Sequence, residues 1–183
     1  NLKGHGLDEG ISTRLLRLAL GEGPRIVGLE PSARMRAEAA DNTPAALAVE
    51  YCEGLAERLP FGRHGVRAVV AAQAAHWFER PRFYAECLRV LVPGGAAVFM
   101  VYNRVSWLNL LSHVMRVDLE HADAPVLRTF SAGEFRRLLA AYAHVRIVAE
   151  RFPVRSRLHG GWKGALYNGV FVRAFTTLPR RWV

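Results

Sequence analysis

The order of apolar runs along the 183 residues predicts an α/β fold organised around a mostly parallel sheet. Two observations lead there. Short apolar, partly β-branched runs at Arg25–Glu30, Val66–Ala72 and Ala96–Tyr102 alternate with stretches whose apolar residues recur at helical spacing. Turns containing Gly and Pro, Gly21-Glu22-Gly23-Pro24 and Pro93-Gly94-Gly95, separate the two kinds of segment.

Taken in order, Ser12 to Leu20 (STRLLRLAL) is a helix ended by the first of those turns, and Arg25 to Glu30 is a short strand closing on an acid. Ser32 can cap a second helix reaching Ala40, because its hydroxyl accepts from an unpaired first-turn N–H. Ala46 to Cys52 reads as a strand, and Val66 to Ala72 is the most strand-like run of the first half. A helix from Arg80 to about Leu91 is broken by Pro93-Gly94-Gly95, and Ala96 to Tyr102 (AAVFMVY) has the continuous apolar character of a strand buried on both faces. Trp107 to Val117 is amphipathic, and Asp118 to Pro125 is an acidic, His-containing loop. Ser131-Ala132-Gly133-Glu134 is a capping box opening a helix to about Tyr142. His144 to Phe152 alternates as a late strand, and the tail after Gly160-Gly161 reads either as a last strand or as a helix ending at Pro179.

Length and composition point to one domain over 1–183, since a chain of this size buries roughly two-thirds of its unfolded surface. Within it, 1–103 form a core, 104–143 an insertion and helix, and 144–183 a late strand and tail. No window of about 18 apolar residues without charge exists, so no membrane span is expected. The start, Asn1-Leu2-Lys3-Gly4-His5, suggests an internal beginning rather than a targeting segment. The net charge of +9 is almost all Arg and has no run of five or more basic residues, which argues against a nucleic-acid partner. Cys52 and Cys87 lack metal-like or redox-like spacing and read as reduced thiols of a cytoplasmic protein. His113, Asp118, Glu120 and His121 match no ligand pattern, so no metal is expected.

Four stretches carry a family likeness: Gly10-Ile11-Ser12-Thr13-Arg14-Leu15-Leu16; Val27-Gly28-Leu29-Glu30-Pro31-Ser32-Ala33-Arg34-Met35; Gly54-Leu55-Ala56-Glu57-Arg58-Leu59-Pro60-Phe61; and Ala71–Phe78 followed by Glu86-Cys87-Leu88-Arg89-Val90-Leu91-Val92-Pro93-Gly94-Gly95. In this order, over about residues 4 to 150, the chain resembles the class I S-adenosylmethionine-dependent methyltransferases, especially those that methylate small molecules. The third stretch is close to that family's Gly-Asp-Ala-Glu-x-Leu-Pro-Phe. The resemblance implies a Rossmann-like, doubly wound, mostly parallel sheet, S-adenosyl-L-methionine as cofactor, and a small-molecule methyl acceptor.

It also implies a site. Glu30, twenty residues after Gly10, would accept the ribose hydroxyl protons, as an acid in that place does in dinucleotide folds. Gly6 and Gly10 would let backbone approach the cofactor, and Pro31 would adjoin Glu30. Met35 would lie against the adenine or else pack in the core, and Leu55, Ala56 and Glu57 would edge the adenine. Gln73 and Ala74 follow the fourth family strand at the ligand-binding edge. His76 would deprotonate or orient a hydroxyl acceptor, or serve with Trp77 and Phe78 as an aromatic hinge.

Departures are equally specific. The family's Asp-x-Gly-x-Gly-x-Gly loop reads Gly4-His5-Gly6-Leu7-Asp8-Glu9-Gly10, with Asp8 in place of the middle glycine. Leu55 replaces the acid that receives the adenine amino group, a lost hydrogen bond of about 0.5–1.5 kcal/mol, or up to roughly tenfold in binding. The family's first strand, central in its sheet, has almost no residues here, so an incomplete sheet is expected. Two other readings stand beside the enzyme: a relative that no longer binds cofactor, and an RNA methyltransferase.

Overall fold

The computed structural model describes residues 10–72, 74–75, 78–105, 129–148 and 161–177. The chain divides into two compact units, Asn1–Met100 and Val101–Val183. The first contains α1 (Ile11–Leu20), β1 (Ile26–Leu29), α2 (Ala33–Asp41), a 3₁₀ turn (Ala45–Leu47), β2 (Val49–Cys52), β3 (Val66–Ala71), α3 (Arg80–Val90) and β4 (Leu91–Phe99). The second contains α4 (Ala132–Leu138) and the helical run α5 (Gly161–Leu166), a π turn (Tyr167–Phe171) and α6 (Val172–Thr177).

Among the described residues the named strands pair in parallel, as the alternation of strand and helix requires. β1 pairs with β2 from Ile26↔Val49 to Leu29↔Cys52, and β3 pairs with β4 from Val66↔Leu91 to Ala71↔Phe99. Among the described residues these are two separate two-stranded sheets, so the fold is α/β with a partial sheet. Gly28 faces Tyr51 across the first ladder, and a side chain there would overlap the ring, at 2.6 Å from Cδ1.

The Pro93-Gly94-Gly95 segment lies inside β4 as a bulge rather than before the strand. Val66 and Ala68 are opposed by Leu91 and Ala96, so two steps on β3 span five on β4. Gly94 takes φ +77, and a Cβ on Gly95 would stand 2.9 Å from the Arg67 carbonyl oxygen, which accounts for both glycines.

α3 supplies the core of this sheet. Phe83, Tyr84, Cys87 and Val90 are buried on one helix face, and Phe99 meets Phe83 and Tyr84 at ring-centroid distances of 5.4 and 4.9 Å. The expectation that the last apolar strand is buried on both faces is overturned. The register puts Ala68 and Val70 beside Ala96 and Val98 on the face away from Phe99; Val98 is 57% exposed and Met100 47%. Among the described residues no element covers that face, whereas a doubly wound sheet is covered on both.

α1 is inverted relative to an ordinary amphipathic helix. Arg14 and Arg17 are buried while Ile11, Leu15 and Leu18 are exposed. Arg17 is held by carbonyl oxygens: Nη1 donates to Gly21 and Pro24 (both 2.8 Å) and Nη2 to Ala48 (2.9 Å). The strand expected over 46–52 begins only at Val49, because Pro44 starts a tight turn that Ala48 ends at φ 47.

In the second unit, the Ser131 hydroxyl accepts from the Glu134 N–H and the Glu134 carboxylate accepts from the Ser131 N–H (2.8 Å), completing the expected box. α4 stops at Leu138, short of Tyr142, because the chain passes into three-residue turns at Ala140 and Tyr142. Residues 144–148 form no strand; 149–152 lie outside the described residues. The tail, open between strand and helix, is helical from Gly161 to Thr177.

Candidate cofactor-binding site

The carboxyl end of β1 is the best-defined corner of the first unit. Glu30 extends the ladder by donating its N–H to the Cys52 carbonyl (3.1 Å), so its side chain leaves from the strand's last paired position. Its Oε1 accepts the Ser32 N–H at 2.8 Å, and the Ser32 hydroxyl accepts from Met35 N at the start of α2. Arg36 closes the corner by donating to the carbonyls of Glu30 (2.8 Å) and Pro31 (3.0 Å) and to the Glu53 carboxylate (3.2 Å). One arginine thus ties the end of β1 to the residue after β2. Among the described residues, the other Glu30 oxygen takes no protein hydrogen bond. A fixed carboxylate with an unused acceptor fits a vicinal diol.

Gly10 caps α1 with φ 82, a conformation that an L side chain enters only with strain. Its carbonyl accepts from Arg14 N–H (3.0 Å) and from the Tyr51 hydroxyl (3.4 Å). A Cβ on Gly10 would overlap that hydroxyl, which also lies 2.9 Å from Thr43 Oγ1. The space beside Gly10 is therefore filled by Tyr51. Sequence reasoning missed Tyr51 and Thr43, because no motif marks a contact 41 residues away.

The Gly54–Phe61 loop is pinned to α3 and its cap. Glu57 Oε1 accepts the Glu79 N–H (2.7 Å), and Glu86 Oε2 accepts the Leu59 N–H (3.0 Å). Arg89 donates to the carbonyls of Phe61 (2.9 Å) and Leu59 (3.0 Å) while pairing with Glu86 (2.8 Å). The Arg89 hydrogen bond, aided by the Leu59 N–H against partial burial, holds the Glu86 carboxyl below the usual carboxylate range. The Glu86 and Arg89 of the fourth stretch are therefore loop clamps. Gly54 is needed where the loop passes Leu29: a Cβ would stand 3.1 Å from the Pro60 ring.

Leu55 is 56% exposed, Ala56 is half-buried and Met35 is half-buried. Ala74 is exposed after β3, and Ala75 is fully buried beside it. Gly6, Gln73 and His76 lie outside the described residues, as do Asp8, Trp77 and 106–128. A cleft of about 560 Å³ runs along α4 past Arg136, Arg137 and Tyr142 and shares no residue with the Glu30 corner. It is an open trough rather than an enclosed pocket.

A methyltransferase-domain family model matches residues 5–99, just over half of the chain. The chain belongs to that methyltransferase family. An uncharacterized methyltransferase of Mycobacterium tuberculosis is 33% identical over 117 residues, covering 61% of this chain and 46% of that protein. A Dictyostelium discoideum protein assigned to the methyltransferases is 34% identical over 87 residues, 46% of this chain and 31% of that protein. The methyltransferase domain thus spans less than half the length of these curated relatives. Among solved structures, a Thermotoga maritima S-adenosylmethionine-dependent methyltransferase aligns at TM-score 0.52 and 20% identity, over 73% of this chain and 70% of that one. A Haloferax volcanii methyltransferase solved with its Trm112 activator aligns at TM-score 0.60 and 23% identity, over 93% and 76%. These similarities show the class I Rossmann-like fold, to which the two parallel strand pairs conform.

Proposed function

We propose that this methyltransferase domain binds S-adenosyl-L-methionine and directs methyl transfer to a small molecule. The observation that carries it is the Glu30 carboxylate, held at the carboxyl end of β1 by the Ser32 N–H, with Arg36 bonded to the Glu30 backbone carbonyl and one carboxylate oxygen unengaged among the described residues. When bound, the cofactor supplies an electrophilic methyl group on a sulfonium.

The chain's own residues then divide the work. Glu30, beside Pro31, accepts the ribose hydroxyl protons, and Gly6 and Gly10 leave two positions of the first loop without side chains. Met35 and the clamped Leu55-Ala56-Glu57 loop border the adenine, with Gln73 and Ala74 at the end of β3. His76 removes or orients the acceptor proton, while positioning supplies most of the rate in an in-line displacement. The matched region, 5–99, holds eleven basic and eleven acidic residues, a balance that suits a small acceptor better than a polyanionic one.

Titration of the purified chain with S-adenosylmethionine and S-adenosylhomocysteine by calorimetry tests this, with folding checked by circular dichroism. Micromolar binding is expected. A second reading, a relative that no longer binds cofactor, is favoured by Leu55: an exposed aliphatic side chain stands where the family has an acceptor for the adenine amino group. It requires a folded chain that binds neither ligand.

A further inference from the structure

The positive charge of this chain is unevenly placed. Residues 151–183 contain seven Arg and Lys and no Asp or Glu, whereas residues 1–150 hold 18 basic and 16 acidic residues. Seven of the nine net positive charges therefore reside in the last 33 positions. The same stretch contains the helical run Gly161–Thr177, and that run shows solvent an apolar line. Trp162 is 72% exposed, Leu166 38% and Val170 56%. Their four-residue spacing puts them on neighbouring turns of one side, and the wider π turn over Tyr167–Phe171 offsets the drift that such spacing accumulates at 3.6 residues per turn.

We propose that this helix is a docking surface for an anionic lipid bilayer, lying in the interface with Trp162, Leu166 and Val170 toward the acyl region. A helix with one apolar line in a cationic, acid-free segment meets both requirements of interfacial binding, burial of apolar area and attraction to charged headgroups. Tryptophan suits the headgroup boundary because its ring is apolar and its N–H polar, and long Arg side chains can keep their guanidinium groups among phosphates while their stems lie in apolar surroundings. The apolar line selects lipid over RNA: Leu166 and Val170 have no ring on which a base could stack. Among the described residues no helix is long and apolar enough to cross a membrane. The inference is independent of methyl transfer.

Flotation of the full chain with vesicles tests it, using phosphatidylcholine alone and phosphatidylcholine mixed with phosphatidylglycerol. The expected result is retention on the mixed vesicles only, reversed by high salt. The double variant Trp162→Ala/Leu166→Ser, altered only at exposed side chains, should lower the partition coefficient roughly tenfold with an unchanged circular dichroism spectrum. Leu18→Ser, on the exposed stripe of α1, should leave it unchanged. The proposal is overturned by any of four outcomes: no retention on mixed vesicles, retention that the double variant keeps, an equal loss from Leu18→Ser, or binding to single-stranded RNA or self-association in the absence of vesicle binding.

Discussion

Glu30 and Gly10 sit at the amino-acid positions where local geometry bears most directly on the proposed chemistry. Glu30→Ala removes the carboxylate but leaves the backbone bonds from Arg36 and to Cys52, so the chain should stay folded while S-adenosylmethionine affinity falls at least tenfold, read by calorimetry. Unchanged affinity would remove Glu30 from the site. Gly10→Ala behaves differently, since it forces an L side chain to φ 82 and into Tyr51. Its expected cost is about 1–3 kcal/mol of folding stability, measured by urea unfolding, whether or not a cofactor is present. His76→Ala should lower turnover by about a hundredfold with cofactor affinity preserved, the split expected of a group that acts on the acceptor. Loss of affinity in place of turnover would reassign His76 to binding.

Each helix start and clamp reveals how far the sequence could be read. Ser32 and the Ser131/Glu134 box were legible because capping depends on residues at most three apart, and both caps form as their spacing predicts. Glu86 and Arg89 were visible as a family pattern without a stated task; the task became clear only when α3 was seen against Leu59 and Phe61, some 30 residues earlier in the chain. The burial of Ala96–Tyr102 was misjudged for a physical reason: an apolar run says what a strand would favour, not whether a covering element exists. The capping box supplies a pH prediction. Hydrogen bonds from the Ser131 backbone, Arg104 and the Ser131 hydroxyl pull Glu134 down to about 2. A depressed carboxylate contributes stability that is full above its unfolded value near 4.5 and is lost as pH falls through about 2. The start of α4 should therefore loosen across that window, and Arg104→Ala should move the Glu134 midpoint upward in a carbon-detected NMR titration. A midpoint unmoved by Arg104→Ala would sink that account.

For the molecule as a whole, the apolar groups that shape its surface matter as much as those in its core. Phe83→Ala should destabilise the first unit by about 3–5 kcal/mol, since a fully enclosed ring contacting Phe78, Tyr84 and Phe99 leaves a cavity. Val98→Thr, on the uncovered face, should change stability by no more than about 0.5 kcal/mol, both variants being compared with the parent chain in thermal melts. A large loss at Val98 would mean that the face is covered in solution. The two strand pairs have a further consequence for how the chain unfolds. Among the described residues, β1-α2-β2 and β3-α3-β4 each close over a short stretch of sequence and share no ladder, so neither needs the other's hydrogen bonds to form. Among the described residues, cooperativity between them rests on side-chain contacts and the pinned Gly54–Phe61 loop. Heat should then separate what a continuous sheet would melt together, with a calorimetric enthalpy exceeding the van't Hoff value and amide exchange reporting two opening energies within one hundred residues.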